Sequence, residues 1–226
     1  CSSDLNVAGI LGLEVNLVCW GANFFDYDND ADLDLYVAAG CVSGTANNGE
    51  LGCSWNGGQS DMLSHNNVLF ENVGNGNFVD ASPASGLNNA YLTTGTAIGD
   101  INNDGLIDVY LTANQKKNKL YLNKGDFKFE DISEFSNSSG QKAWSTGVTM
   151  VDINNDGFLD IYVCNSGDIK GDNKQNELFI NNGDLTFTES AKNYNLDDLG
   201  YSTHAAFFDY DKDGDLDVYI LNNSYQ

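Results

Sequence analysis

The chain has no arginine. All ten of its basic residues are lysine, set against 33 acidic residues, for a formal charge of -23. Nucleic-acid recognition rests on basic patches and on arginine forks that clamp phosphate, so that class of partner is excluded, and anionic membrane surfaces are excluded with it. Proline occurs once, and the two histidines, His65 and His204, stand far apart. No apolar run approaches the roughly 20 residues of a membrane-spanning helix, and no segment repeats its apolar residues with a helical period. The content of 41% hydrophobic and 12% aromatic residues is nonetheless enough for a core, which excludes a disordered chain. An all-β protein is what remains.

What the chain has in excess is aspartate, and it is not scattered. Sixteen of the 26 aspartates lie in four nine-residue loops: 26–34 (DYDNDADLD), 100–108 (DINNDGLID), 152–160 (DINNDGFLD) and 209–217 (DYDKDGDLD). Positions one, three, five and nine carry oxygen ligands throughout. They are Asp26, Asp28, Asp30 and Asp34; Asp100, Asn102, Asp104 and Asp108; Asp152, Asn154, Asp156 and Asp160; Asp209, Asp211, Asp213 and Asp217. Calcium takes about 6–8 hard oxygen ligands, and a tight loop of alternate carboxylates plus one backbone carbonyl supplies most of them. The carbonyl is expected from position seven: Asp32, Leu106, Phe158 or Asp215. Position six must turn sharply and calls for glycine; Gly105, Gly157 and Gly214 comply, whereas Ala31 does not and is expected to close its loop with some backbone strain. About four Ca2+ sites are expected.

Clustered charge is more usually a solvated loop, but each run leads at once into an apolar stretch: 35–37 (LYV), 109–111 (VYL), 161–163 (IYV) and 218–220 (VYI). A helix–loop–helix calcium hand or a dockerin repeat requires an acidic ligand at position twelve. Here that position is Val37, Leu111, Val163 or Ile220, so both are excluded.

The first ligands recur at spacings of 74, 52 and 57 residues. A four-stranded propeller blade takes about 40–50 residues. Downstream of each of the first three loops comes a strand, an Asn/Gly turn and a returning strand, at 67–78, 118–127 and 176–187. A unit therefore holds four strands with the acidic loop joining the first two; 96–99, 107–113, 119–123 and 127–132 make one set. Strands apolar on both faces must be covered on both, which blades around an axis achieve. The expected architecture is a β-propeller, or part of one. Its blades span 18–90 with an insertion at 40–66, then 91–140 and 141–196, with a partial blade at 197–226. Four blades are a minimal ring, so further blades or a neighbouring copy are expected to complete it, with 7–18 a candidate closing strand.

The combination of this loop with the Asn-x-Leu-Tyr/Phe-x-Asn-x-Gly hairpin resembles the FG-GAP/VCBS repeats of integrin-α-like propellers. Residues 94–222 resemble in particular the bacterial cartilage-acidic-protein-like, ASPIC/UnbV-associated group. The resemblance implies a calcium-bearing propeller of the cell surface or extracellular space, without an assigned chemistry. The chain departs from the pattern at Ala31, at His204 where the other units have Gly21, Gly95 and Gly147, and in the first-unit insertion.

Cys41 and Cys53 bracket that insertion, and a disulfide between them suits an oxidising compartment; unpaired thiols and a metal pair are the alternatives. Cys19 and Cys164 read as buried thiols. Cys1, followed by Ser2-Ser3-Asp4, matches either a processed lipid-anchored N-terminus or simply the first residue numbered. Loops of this kind work at extracellular calcium levels. The expected function is a calcium-stabilised extracellular scaffold that binds a protein or glycan. The alternatives are a structural subunit completed by copies of itself and, as a third, a propeller enzyme acting on glycans, for which His204 is the remaining catalytic candidate. Trp20, Trp144 and Tyr201, at the starts of first strands, are candidates for stacking on sugars or for packing between blades. Asn137-Ser-Ser139 and Asn222-Asn-Ser224 match the glycosylation pattern.

Overall fold

The computed structural model describes residues 18–40, 44–45, 51–52, 67–87, 93–114, 116–126, 128–141, 144–167 and 173–223; for 18–20, 39–40, 44–45 and 51–52 it describes the backbone alone. Strands β1 (Val18–Phe25) and β2 (Asp34–Gly40) pair antiparallel across the first acidic loop. A two-residue hairpin, β3 (Gly44–Thr45) with β4 (Leu51–Gly52), lies in the insertion. Strands β5 (Val68–Asn72) and β6 (Phe78–Asp80) then complete a sheet of order β1-β2-β5-β6. The next two units repeat the plan with β7 (Thr93–Gly99), β8 (Asp108–Ala113), β9 (Lys119–Asn123) and β10 (Phe129–Asp131), then β11 (Ser145–Val151), β12 (Asp160–Asn165), β13 (Glu177–Asn181) and β14 (Phe187–Glu189). A fourth sheet holds β15 (Ser202–Phe208) and β16 (Asp217–Asn222). All pairings are antiparallel.

Burial explains why the second strand of each sheet is apolar on both faces. Every residue of β8 and β12 is buried. One face carries a tyrosine: Tyr36, Tyr110 and Tyr162 are each 0% exposed. The other carries the aliphatic pairs Val109 and Leu111, Ile161 and Val163, Val218 and Ile220. Tyr36 packs in one cluster with Val109 and Leu111, Tyr110 with Ile161 and Val163, and Tyr162 with Val218 and Ile220. Each of the first three sheets thus presents its tyrosine face to the aliphatic face of the next, and the core is a series of layers between sheets, as in a propeller.

The first strands β1, β7, β11 and β15 lie side by side as the inner edges of the sheets. Threonine hydroxyls tie them across the seams: Thr94 Oγ1 donates to Ser145 O at 2.6 Å, Thr146 Oγ1 to Ser202 O at 2.7 Å and Thr149 Oγ1 to Ala205 O at 2.8 Å. The approach is close enough to demand glycine. A Cβ on Gly95 would sit 2.4 Å from Thr146 O, and one on Gly147 would sit 2.4 Å from Thr203 O. At the corresponding place in β15 is His204, which is exposed.

One element escaped the strand pattern. A single helical turn, α1 (Ser82–Ser85), has Pro83 near its start, and a turn of similar make follows β10. Both rest on an acid two residues before a serine: Ser82 N–H donates to Asp80 at 2.9 Å and Ser133 N–H to Asp131 at 3.0 Å. Four residues are too few for a periodicity to show.

Gly147→Ala is expected to lower stability by about 1–3 kcal/mol, because the Thr203 backbone must move to admit the methyl. Gly76→Ala, where a Cβ meets nothing within 4 Å, should lose only the positive-φ cost of about 1 kcal/mol. Urea unfolding of both variants checks the order.

Candidate metal sites

The four acidic loops share one backbone path. The position-one carboxylate accepts the N–H groups of positions five and six: Asp30 and Ala31 on Asp26 at 3.1 and 3.0 Å, Asp104 and Gly105 on Asp100 at 3.1 and 2.8 Å, Asp156 and Gly157 on Asp152 at 3.0 and 2.9 Å. In the fourth loop Gly214 N–H reaches Asp209 at 3.2 Å. The position-five carboxylate accepts the N–H of position seven in all four. The curl needs two residues with positive φ. Position six is one, at 87°, 91° and 96° for Gly105, Gly157 and Gly214; Ala31 takes the same conformation at 73°, a strain of about 1–2 kcal/mol for a residue with a Cβ. Position four is the other, at 62°, 59°, 57° and 65° for Asn29, Asn103, Asn155 and Lys212. Asparagine tolerates that region best among residues with side chains, which is the reason it fills three of the four places.

Position nine closes the loop onto the sheet. Asp34, Asp108 and Asp160 are buried, and each carboxylate accepts two backbone N–H groups. One comes from position two: Tyr27, Ile101 and Ile153, each at 3.0 Å. The second comes from the last residue of the third strand: Asn72, Asn123 and Asn181, each at 2.8 Å. Burial among other carboxylates holds these groups above the usual range, with Asp34 pushed up to about 6 and Asp108 to about 7, and Asp160 raised for the same reason. Burial, then the Asp30 carboxylate, also raises Asp28. Among the described residues Asp217 keeps only the position-two bond, from Tyr210 at 2.8 Å.

These carboxylates converge. One oxygen each from Asp26, Asp28 and Asp34 lies within 4.8 Å of the other two, and the same holds for Asp209, Asp211 and Asp217. Ligands at about 2.3–2.6 Å from one calcium ion cannot be more than about 5 Å apart, so the spacing suits a single ion. In the middle loops Asn102 and Asn154 stand at position three, their Nδ2 groups turned to Asp104 and Asp156 at 3.0 and 2.8 Å. The donor set is entirely oxygen, the choice of a hard divalent cation rather than zinc or copper.

The hairpin asparagines do more than turn the chain. Their Oδ1 atoms accept the N–H of Gly74, Gly125 and Gly183 at 3.1, 2.9 and 2.9 Å. Their Nδ2 groups donate back to position eight of the loop, at Leu33, Ile107 and Leu159. Asn123 and Asn181 also donate, at 2.9 Å, to Tyr27 O and Ile101 O, the position-two carbonyls of the preceding loop. The sequence marked these residues only as turn formers; their identical place in all three hairpins was the available signal.

The other candidates are dispersed. His204 is exposed on β15, Trp144 is partly buried and bridges Asn114 of the preceding sheet, and Tyr201 lies under Lys174, whose Nζ is 4.1 Å from the ring centre. Trp20 belongs to β1, where only the backbone is described. Cys164 is a buried thiol, pushed up to about 12 by burial. Asn137 Nδ2 donates to Phe187 O at 3.4 Å, and Asn222 Nδ2 to Asp198 at 3.1 Å. Cys1, Cys41, Cys53, His65, Ser224 and most of 7–18 lie outside the described residues. Among the described residues, no helix is long and apolar enough to cross a membrane.

Stacked four-stranded antiparallel sheets, each with an acidic loop between its first two strands, define the chain as part of a β-propeller of the repeat type. The FG-GAP-like repeat family matches residues 53–111, 100–163 and 166–220, and the chain belongs to that family. Cartilage acidic protein 1 is similar to it: the mouse and human proteins are each 29% identical over 202 residues, covering 83% of this chain and 30% of their own length. The Xenopus tropicalis protein is 30% identical over 145 residues, 62% of this chain and 21% of its own. The chain therefore spans less than a third of these relatives.

Asp160→Ala leaves two backbone donors unpaired, and each such loss costs about 1–3 kcal/mol when buried. Asp217→Ala leaves one exposed donor and should destabilise clearly less. Urea unfolding in one buffer of fixed metal content gives the ranking; equal losses would mean that the second bond carries no weight.

Proposed function

We propose that the chain is a calcium-stabilised extracellular propeller segment that serves as a binding or adhesion scaffold, with no chemistry of its own. The observation that carries the metal is the convergence of position-one, -three and -nine oxygens within 4.8 Å in the first and last loops. The ligands would be the four side chains and the position-seven carbonyl of each loop, about four ions in all. Blades at 18–90, 91–140, 141–196 and 197–226 follow from the same repeat. The scaffold role is supported by family membership and by the relatives named as acidic proteins of cartilage. Extracellular placement follows from the weak, millimolar-range calcium affinity expected of such loops, and a protein or glycan ligand from the scaffold role.

Without the cation, each loop holds several carboxylates at close range, and like charges so near resist joint ionisation. Calcium at about 100 times its dissociation constant contributes roughly 2.7 kcal/mol per site. The melting temperature should therefore fall in excess chelator and recover with calcium; an unchanged midpoint overturns the proposal. The pH dependence has a definite sign. In the metal-free fold the buried Asp34 and Asp108 carboxyls sit at about 6 and about 7, above their unfolded values, so their ionisation opposes folding as the pH rises. The calcium-bound form needs them ionised. The gain from calcium should be full above pH 7 and shrink as the pH falls toward 5, read from paired melts with metal and chelator.

One observation favours a second reading, a structural subunit completed by further blades or copies. Tyr219, the counterpart of the fully buried Tyr36, Tyr110 and Tyr162, is 60% exposed, and Leu221 and Phe208 beside it are 47% and 43% exposed. That face has the composition of a seam between sheets. Light scattering in calcium tests completion by copies: concentration-dependent association supports it, and a monomer at all concentrations removes it.

A further inference from the structure

In the first two loops the position-four side chain reaches the next loop. Asn29 Nδ2 donates to Gly105 O at 3.3 Å, and Asn103 Nδ2 donates to Gly157 O at 3.0 Å. The accepting carbonyl belongs to position six, immediately before the position-seven carbonyl assigned to the cation. A return link runs the other way. Asn123 Nδ2 holds Tyr27 O of the first loop while its backbone N–H holds Asp108, the position-nine ligand of the second. Asn181 does the same between Ile101 O and Asp160. The first three loops are therefore joined in series, each seam bonded in both directions. The series ends at the third loop. Among the described residues Asn155 makes no bond to Gly214 O, and position four of the fourth loop is Lys212.

We infer that the first three cation sites bind cooperatively through Asn29, Asn103, Asn123 and Asn181, and that the fourth binds on its own. This rests on the calcium reading proposed above. A filled second loop fixes its position-six and position-seven carbonyls. The fixed Gly105 carbonyl then holds Asn29 in the positive-φ conformation that the first loop needs, so part of the ordering required by the second cation is already in place. The coupling is reciprocal, as any linkage between binding free energies must be. Partly exposed hydrogen bonds of this kind correspond to a factor of about two to ten in affinity per seam.

Asn29→Gly and Asn103→Gly remove the donor and leave the backbone at ease, since glycine accepts φ near 60° without strain. Asn155→Gly makes the same change where there is no bond to lose, and is the control for backbone effects. The experiment is a calcium titration of the whole chain, with total heat measured by calorimetry and each loop followed through the amide resonances of Ala31, Gly105, Gly157 and Gly214. In the parent chain the first three signals should move together along one steep curve, with Gly214 on a separate single-site curve. Asn29→Gly should shift the Ala31 curve away from the group and make it shallower, Asn103→Gly should do the same between the first two loops and the third, and Asn155→Gly should alter neither grouping. Four independent single-site curves in the parent would overturn the inference while leaving calcium binding intact. Shared curves as steep as the parent's in both Asn29→Gly and Asn103→Gly would overturn it as well. No calcium-dependent heat or shift at all would instead remove the calcium proposal on which it stands.

Discussion

The buried position-nine carboxylate is the constraint on which the rest of the structure depends. It takes two backbone N–H groups, one from the start of the acidic loop and one from the end of the third strand, and so it joins the first, second and third strands of a sheet at one point. Burying a charged group is costly unless it is hydrogen-bonded or paired, and the raised values of Asp34 and Asp108 show that two hydrogen bonds do not fully offset that cost. A divalent cation would. The fold places a carboxylate where it is needed to hold strands together, and the same placement makes the loop a candidate cation site.

The hairpin asparagines extend this arrangement from one sheet to the next. With its backbone on the carboxylate and its amide on the preceding loop, Asn123 links two sheets at the end where the loops cluster. At the inner edges, threonine hydroxyls and the glycine contacts at Gly95 and Gly147 perform the corresponding task. Between these two sets of polar ties lie the tyrosine and aliphatic faces, which supply the apolar burial. His204 marks a change in this pattern: an inner strand packed against it as closely as β11 packs against Gly95 would collide with its side chain.

Much of this was legible in one dimension. The loops, the four-strand unit and the second strands follow from spacing and from apolar runs, because a metal loop and a two-sided strand impose local composition. The four-residue helical turn was not legible, since it is shorter than any period, and neither was the positive φ at position four, because asparagine there also suits an ordinary solvated turn. The strain at Ala31 was legible because position six allows no alternative path, and the structure places that residue at 73°.

The sequence by itself determined where the acidic loops lie, that strands flank them and that both faces of the second strands are covered, since all of these depend on residue type at fixed local spacing, whereas it started β7 at 96 rather than at Thr93. Only the tertiary structure decided which face meets which, that Tyr36 lies against Val109 and Leu111, and that the amide of Asn29 reaches a carbonyl 76 residues away. Those contacts depend on the stacking of one sheet on the next, a relation between units that no spacing within a unit records.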